Sequence, residues 1–80
     1  MYLHIGGEYT LPCRFIIGIL NLETVKRTQK DILKFLSSKE KNDKAEFISE
    51  EIPRSVVITE DRIYYTPIST ITLQKRLNNK

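Results

Sequence analysis

The stretch that decides the fold is Ser55–Pro67, SVVITEDRIYYTP. Ser55–Thr59 is β-branched throughout its centre, with Val56, Val57 and Ile58 in a row. Glu60-Asp61 is a short polar connection, and Arg62–Pro67 returns with Tyr64 and Tyr65. Two β-prone runs separated by a tight polar turn predict an antiparallel hairpin, closed at Pro67.

Upstream, Phe15–Leu20 (FIIGIL) is apolar on both alternating faces. That pattern marks a strand covered on both sides rather than a half-buried one. Gly18 inside it predicts a bulge or a close backbone approach. Tyr2–Ile5 and Glu8–Pro12 flank Gly6-Gly7, a pair that tolerates the positive φ of a hairpin turn. Ala45–Ser49 is a further candidate strand, interrupted by Glu50-Glu51-Ile52-Pro53.

Between these strands lies a helical pattern from Thr24 to Ser38. Val25, Ile32, Phe35 and Leu36 share one stripe. Thr24 is the expected N-cap, with Asn21 as competitor. Lys26, Lys30 and Lys34 recur every fourth residue beside the apolar stripe. The polar run Ser37–Lys44 reads as a loop. Ser69 is the expected N-cap of a last helix, Thr70–Leu77, in which Leu73 and Leu77 stack at i,i+4. The expected fold class is α+β. A small, twisted, mostly antiparallel sheet carries one central and one C-terminal helix, in a single domain spanning residues 1–80.

The chain has 80 residues, and Leu, Ile, Val and Phe together supply 25 of them. That is too apolar for a disordered tail, yet a domain this short buries only roughly 60–65% of its unfolded surface. Two strands apolar on both faces, with two short helices to cover them, favour a homo-oligomer that closes the remainder. The alternative is that the two helices suffice.

The net charge of +3 conceals alternating blocks. Residues 1–23 carry −1, 24–44 carry +4, 45–61 carry −4 and 62–80 carry +4. Such a pattern suits a phosphate backbone, or head-to-tail contacts between neighbouring copies of the chain. The helix stripe is the main candidate, and its bland reading is a solvated helix face. Arg14, Arg54, Arg62, Lys75 and Arg76 are further cations. Tyr64 and Tyr65, adjacent in a strand, point to opposite faces, so at least one belongs to the core or an interface.

Catalytic chemistry finds little material. His4 and Cys13 are the sole residues of their types, with no third group to orient a dyad. Two ligands do not make a zinc site, and Gly6-Gly7 lacks the spacing of a phosphate-binding glycine loop. No catalytic residue, metal or cofactor is expected. One cysteine fits a reducing compartment. The start MYLHIGGEYT has no basic region or apolar core of a leader, and no run reaches the ~20 residues of a membrane span. The expectation is a cytoplasmic protein with no membrane contact.

Several segments carry a resemblance. They are Met1–Gly6 (MYLHIG), Ile16–Ile19 (IIGI), Pro53–Thr59 (PRSVVIT), Ile63–Ser69 (IYYTPIS), Thr72-Leu73 and Lys75-Arg76-Leu77. In this order and at this length the chain resembles the RemA/RemB family of biofilm matrix regulators in Firmicutes, and its B branch most. No single motif is diagnostic; the combination covers nearly the whole chain. The resemblance implies a non-enzymatic, cytoplasmic regulator that binds duplex DNA. It also implies a ring-like homo-oligomer and a fold likened to LytTR-type DNA-binding domains.

By resemblance to the A paralogue, Lys26-Arg27 match a Lys-Arg pair in its helix, and Arg54 an arginine just before its Val-rich strand. Two further arginines of that paralogue fall here on Glu50-Glu51-Ile52. Another falls on Phe15, with Arg14 one position earlier. The expected DNA-contacting residues are therefore Lys26, Arg27, Lys30 and Arg54, with Arg14 as a weaker member. The competing expectation is an oligomeric protein-interaction module. In it, Glu50, Glu51, Glu60 and Asp61 meet a basic protein partner such as a paralogue.

Overall fold

The computed structural model describes residues 1–25 and 29–78. β1 (Tyr2–Gly6) and β2 (Tyr9–Pro12) form an antiparallel hairpin, which is a two-stranded sheet of its own. A 3-10 turn, Cys13–Phe15, leads into β3 (Ile16–Asn21). α1 (Lys30–Lys41) follows, then β4 (Ala45–Phe47), β5 (Ser55–Thr59), β6 (Ile63–Thr66) and α2 (Thr70–Asn78). The four-stranded sheet has the order β3-β5-β6-β4. β3, β5 and β6 are antiparallel neighbours, and β4 runs parallel to β6.

The SVVIT…IYYT hairpin pairs Ser55 with Thr66, Val56 with Tyr65 and Ile58 with Ile63. Its turn is tied by Thr59, whose hydroxyl donates to the Arg62 carbonyl (2.7 Å) and accepts from the Arg62 N–H (3.3 Å). The register of β3 against β5 shifts between Ile16 and Gly18, so Gly18 adjoins a bulge. A side chain on Gly18 would meet nothing within 4 Å, which excludes a close approach. Gly6 and Gly7 both have positive φ, +124° and +55°, as the first hairpin requires.

β5 lies between two apolar clusters. On one face Val57 packs with Leu3, Ile5 and Leu73, so the β1–β2 hairpin and α2 cover it. On the other face Val56 packs with Leu36, Ile63 and Tyr65 under α1. The helices and the hairpin thus cover β5 within one chain, and β5 needs no second subunit. β3 differs, because it is an edge strand: Ile17 remains 68% exposed and the preceding Phe15 52%.

The structure corrects several sequence expectations. The expected single sheet is two. The expected strand 45–49 ends at Phe47. The central helix, expected over Thr24–Ser38, is observed over Lys30–Lys41. Thr24 is not an N-cap but part of a turn: its N–H and hydroxyl both donate to the Asn21 carbonyl, at 3.3 and 3.2 Å. The Asn21 side chain holds the same turn by accepting from the Glu23 N–H at 2.9 Å. The expected loop Ser37–Lys44 is helical to Lys41. Its polar residues lie on the solvent side of α1, where polarity and helix are compatible.

A Schellman motif stops α1. Asp43 adopts φ +58°, the Asp43 N–H donates to the Glu40 carbonyl (3.3 Å), and the Lys44 N–H to the Lys39 carbonyl (2.8 Å). α2 begins as expected: the Ser69 hydroxyl oxygen accepts from the Thr72 N–H at 3.2 Å.

Candidate nucleic-acid interface

The expected DNA-contacting residues divide between two ends of the four-stranded sheet. Arg54 immediately precedes β5. Its N–H donates to the Thr66 carbonyl (2.8 Å) and its carbonyl accepts from the Leu22 N–H (3.0 Å). The backbone there is thus an extension of the sheet. Its guanidinium Nε lies 3.4 Å from the Glu23 carboxylate, with both side chains about half exposed. Glu23 belongs to the connection between β3 and α1, the helix that Lys30 opens.

Arg14 lies at the other end. It precedes β3, and Ile16 there pairs with Thr59, whereas Asn21 pairs with Ser55. The length of β3, roughly 17 Å, separates the two arginines. The Arg14 guanidinium sits over the Phe15 ring, 4.9 Å from its centroid. Lys26 and Arg27 lie outside the described residues.

Sequence reasoning missed the reach of the helix stripe. Because α1 continues to Lys41, that residue joins Lys30 and Lys34. At 3.6 residues per turn the three lie within roughly 40° of one another, along roughly 16 Å of helix. Ser37 falls between them. Leu36 and Ile32 occupy the opposite side, packed against Val56, Ile63 and Tyr65. Lys30, Lys34 and Lys41 are all exposed. The signal was present in the 4- and 7-residue spacing; the polar run SSKEK concealed it.

Three further cations, Arg62, Arg76 and Lys39, are engaged inside the chain, whereas the exposed Lys44 and Lys75 are not. Arg62 pairs with Glu46 at 3.3 Å. Arg76 donates to the His4 carbonyl at 2.8 Å and approaches its Nδ1 at 3.4 Å. Lys39 lies 5.7 Å from the Phe35 ring centroid. Among the described residues, Lys30, Lys34 and Lys41 have no such partner.

The two tyrosines of β6 face opposite sides, as their adjacency in a strand predicts. Tyr65 is buried, stacks on Phe47 (4.2 Å between centroids, 4° between planes) and donates to a Glu40 oxygen at 2.5 Å. Burial and then the Glu40 contact push its phenol well above the usual range. Tyr64 faces the other side, near Tyr9, with ring centroids 6.4 Å apart. Its phenol is raised chiefly by desolvation, partly offset by Arg62.

His4 and Cys13 do not form a dyad. The His4 Nε2 bonds the Gly7 carbonyl at 2.8 Å, which leaves Nδ1 toward Arg76. Cys13 packs instead against the Leu3–Ile5–Leu73 cluster. Among the described residues no three His, Cys, Asp or Glu side chains come together as metal ligands. No helix among them is long and apolar enough to cross a membrane. The four acids of the competing reading are split, since Glu50-Glu51 precede β5 and Glu60-Asp61 follow it.

No protein-family model matches the chain. It is 33% identical over 76 residues to the extracellular matrix regulatory protein B of Bacillus subtilis (strain 168), across 95% of this chain and 89% of that protein. Similarity of that extent, running through both apolar clusters and both helices, places the chain in the family of extracellular matrix regulatory protein B.

Proposed function

We propose that the protein is a non-enzymatic, cytoplasmic regulator of extracellular matrix gene expression, and that it binds duplex DNA as a homo-oligomer. The name of its Bacillus relative supports the regulatory part. The observation that carries the DNA part is the outer face of α1, where Lys30, Lys34 and Lys41 line up without carboxylate partners among the described residues. Lys26 and Arg27 precede this face in sequence, and Arg54 flanks the same connection through Glu23. Lysines meet phosphates as point charges, so this face positions the protein on DNA without reading bases. Arg14, at the far end of β3, lies apart from this face and would make a separate contact.

A homo-oligomer, ring-like by the family resemblance, repeats the face and multiplies phosphate contacts. Exposed Phe15, Ile17, Phe47 and Ile52, with Tyr2 and Ile71, are among the apolar side chains available for subunit contacts. Bending of DNA along such an assembly is the mode of recognition that phosphate contacts allow. The test is duplex binding across a salt series for the native protein and a Lys30→Ala/Lys34→Ala/Lys41→Ala variant. Each lost phosphate contact lowers the slope of log K against log salt by about 1. A slope unchanged in the triple variant contradicts the assignment.

A second reading has one specific observation in its favour. Ile52 is 86% exposed directly beside exposed Glu50 and Glu51. An apolar tip flanked by acids suits a basic protein partner, such as a paralogue. Binding of that partner with no affinity for duplex DNA would favour this interaction module.

A further inference from the structure

We infer that α1 holds a discrete seat for one phosphate group, formed by Lys34, Ser37, Ser38 and Lys41. These residues, with Asn42, line one shallow depression on the outer surface of the helix. The spacing makes the seat. Lys34 is three and four residues from Ser37 and Ser38, and Lys41 is four and three residues from them, so each lysine neighbours both hydroxyls. Two ammonium groups therefore flank two hydroxyl donors, and no carboxylate lines the depression. Among the described residues none of the four side chains has an internal partner, so all their donors remain available.

The helix C-terminus opposes an anion weakly, through its partial negative charge. Here that opposition is blunted. The Ser38, Lys39 and Glu40 carbonyls already accept from the Asn42, Lys44 and Asp43 N–H groups. Two lysine charges outweigh the remainder. A tetrahedral phosphate presents several oxygens at once, so it can take charge from both lysines and hydrogen bonds from both serines. A carboxylate offers two oxygens and a chloride has no directional acceptor geometry.

The seat deepens the DNA-binding reading and rests on it only for the source of the phosphate. Within the DNA complex it fixes one backbone phosphate, and so sets the helix register on the duplex. The hydroxyls separate this seat from a diffuse positive face, because their removal leaves the charge unchanged.

The experiment has two arms. In the first, backbone amide shifts of the full chain are followed by NMR as inorganic phosphate is added, against sodium chloride at equal ionic strength. Phosphate-specific shifts at Ser37, Ser38 and Lys41 are expected, and they vanish in Lys34→Ala/Lys41→Ala. In the second, duplex DNA binding is measured for Ser37→Ala/Ser38→Ala. This variant should fold, since alanine is the better helix former. Its affinity should fall roughly five-fold with the salt slope unchanged, whereas Lys34→Ala/Lys41→Ala lowers the slope by about 2.

Absence of phosphate-specific shifts overturns the seat. So does a double serine variant that binds DNA with native affinity, a result that leaves the DNA reading intact. Phosphate shifts without duplex binding keep the seat, assign it to soluble phosphate compounds, and overturn the DNA reading.

Discussion

Gly6 combines φ +124° with a crowded neighbourhood. A Cβ there would stand 3.0 Å from the Ile48 Cδ1 and 3.3 Å from the Thr66 Oγ1. Gly6→Ala is therefore expected to cost at least about 1 kcal/mol by chemical denaturation. Tyr65 gives a prediction with a pH signature. Its neutral phenol is favoured in the fold, so its folded pKa lies above the unfolded value of about 10. The stabilisation is complete below about pH 10 and is lost as pH rises toward the folded pKa. Tyr65→Phe should cost about 1 kcal/mol at pH 7, and its melts should show a shallower fall above pH 10 than the native protein. A fall of native steepness would remove the assignment to Tyr65; Tyr64, also raised, supplies a smaller loss of the same sign. Individual residues were unevenly legible in the sequence. The Gly6-Gly7 turn and the opposed tyrosines follow from local chemistry. The pairing of Arg54 with Glu23 depends on β5 lying beside the end of β3, which no local pattern encodes.

The elements were legible where periodicity and capping agree. The β5–β6 hairpin and the Ser69-capped helix fall where the sequence places them, because their signals are short-range. Ser69→Ala should cost about 1 kcal/mol in thermal or denaturant unfolding, with the loss centred on α2. α1 was read too early and ended too soon. Its start is displaced because Asn21, Glu23 and Thr24 close a turn instead of a cap. Its end is displaced because the stop signal is Asp43 rather than glycine. Asp43→Gly relieves a positive φ and removes an acid from the negative end of the helix. It should raise stability by roughly 0.5–1 kcal/mol. A loss of stability in that variant would show that the aspartate serves another purpose. The parallel β4 was legible as a short β-prone run, but its direction depends on the path of α1.

At the scale of the whole molecule, the apolar surface left for contacts between chains is smaller than two strands apolar on both faces would leave. β5 is covered on both faces inside one chain, by the hairpin and α2 on one side and α1 on the other. What remains open includes the edge strand β3 with Phe15 and Ile17, Phe47 and Ile52, and also Tyr2 on β1 and Ile71 on α2. If these close an oligomer, light scattering of Ile17→Lys should report a smaller mass than the native chain; equal masses would remove β3 from the interface. The charge blocks also take on a place. The +4 block of residues 24–44 includes the solvent face of α1, while Arg62 of the C-terminal block is tied to Glu46 of the acidic one. The site was thus half legible: the lysine period is in the sequence, but its extension to Lys41 and its freedom from ion pairs are properties of the fold. The central claim is that α1 meets DNA phosphates, and the most direct test is the salt dependence of duplex binding. The native protein should show a steep slope that falls by about 3 per bound protomer in Lys30→Ala/Lys34→Ala/Lys41→Ala. Duplex binding with an identical slope in both proteins, or no duplex binding at about 50 mM salt, would contradict it.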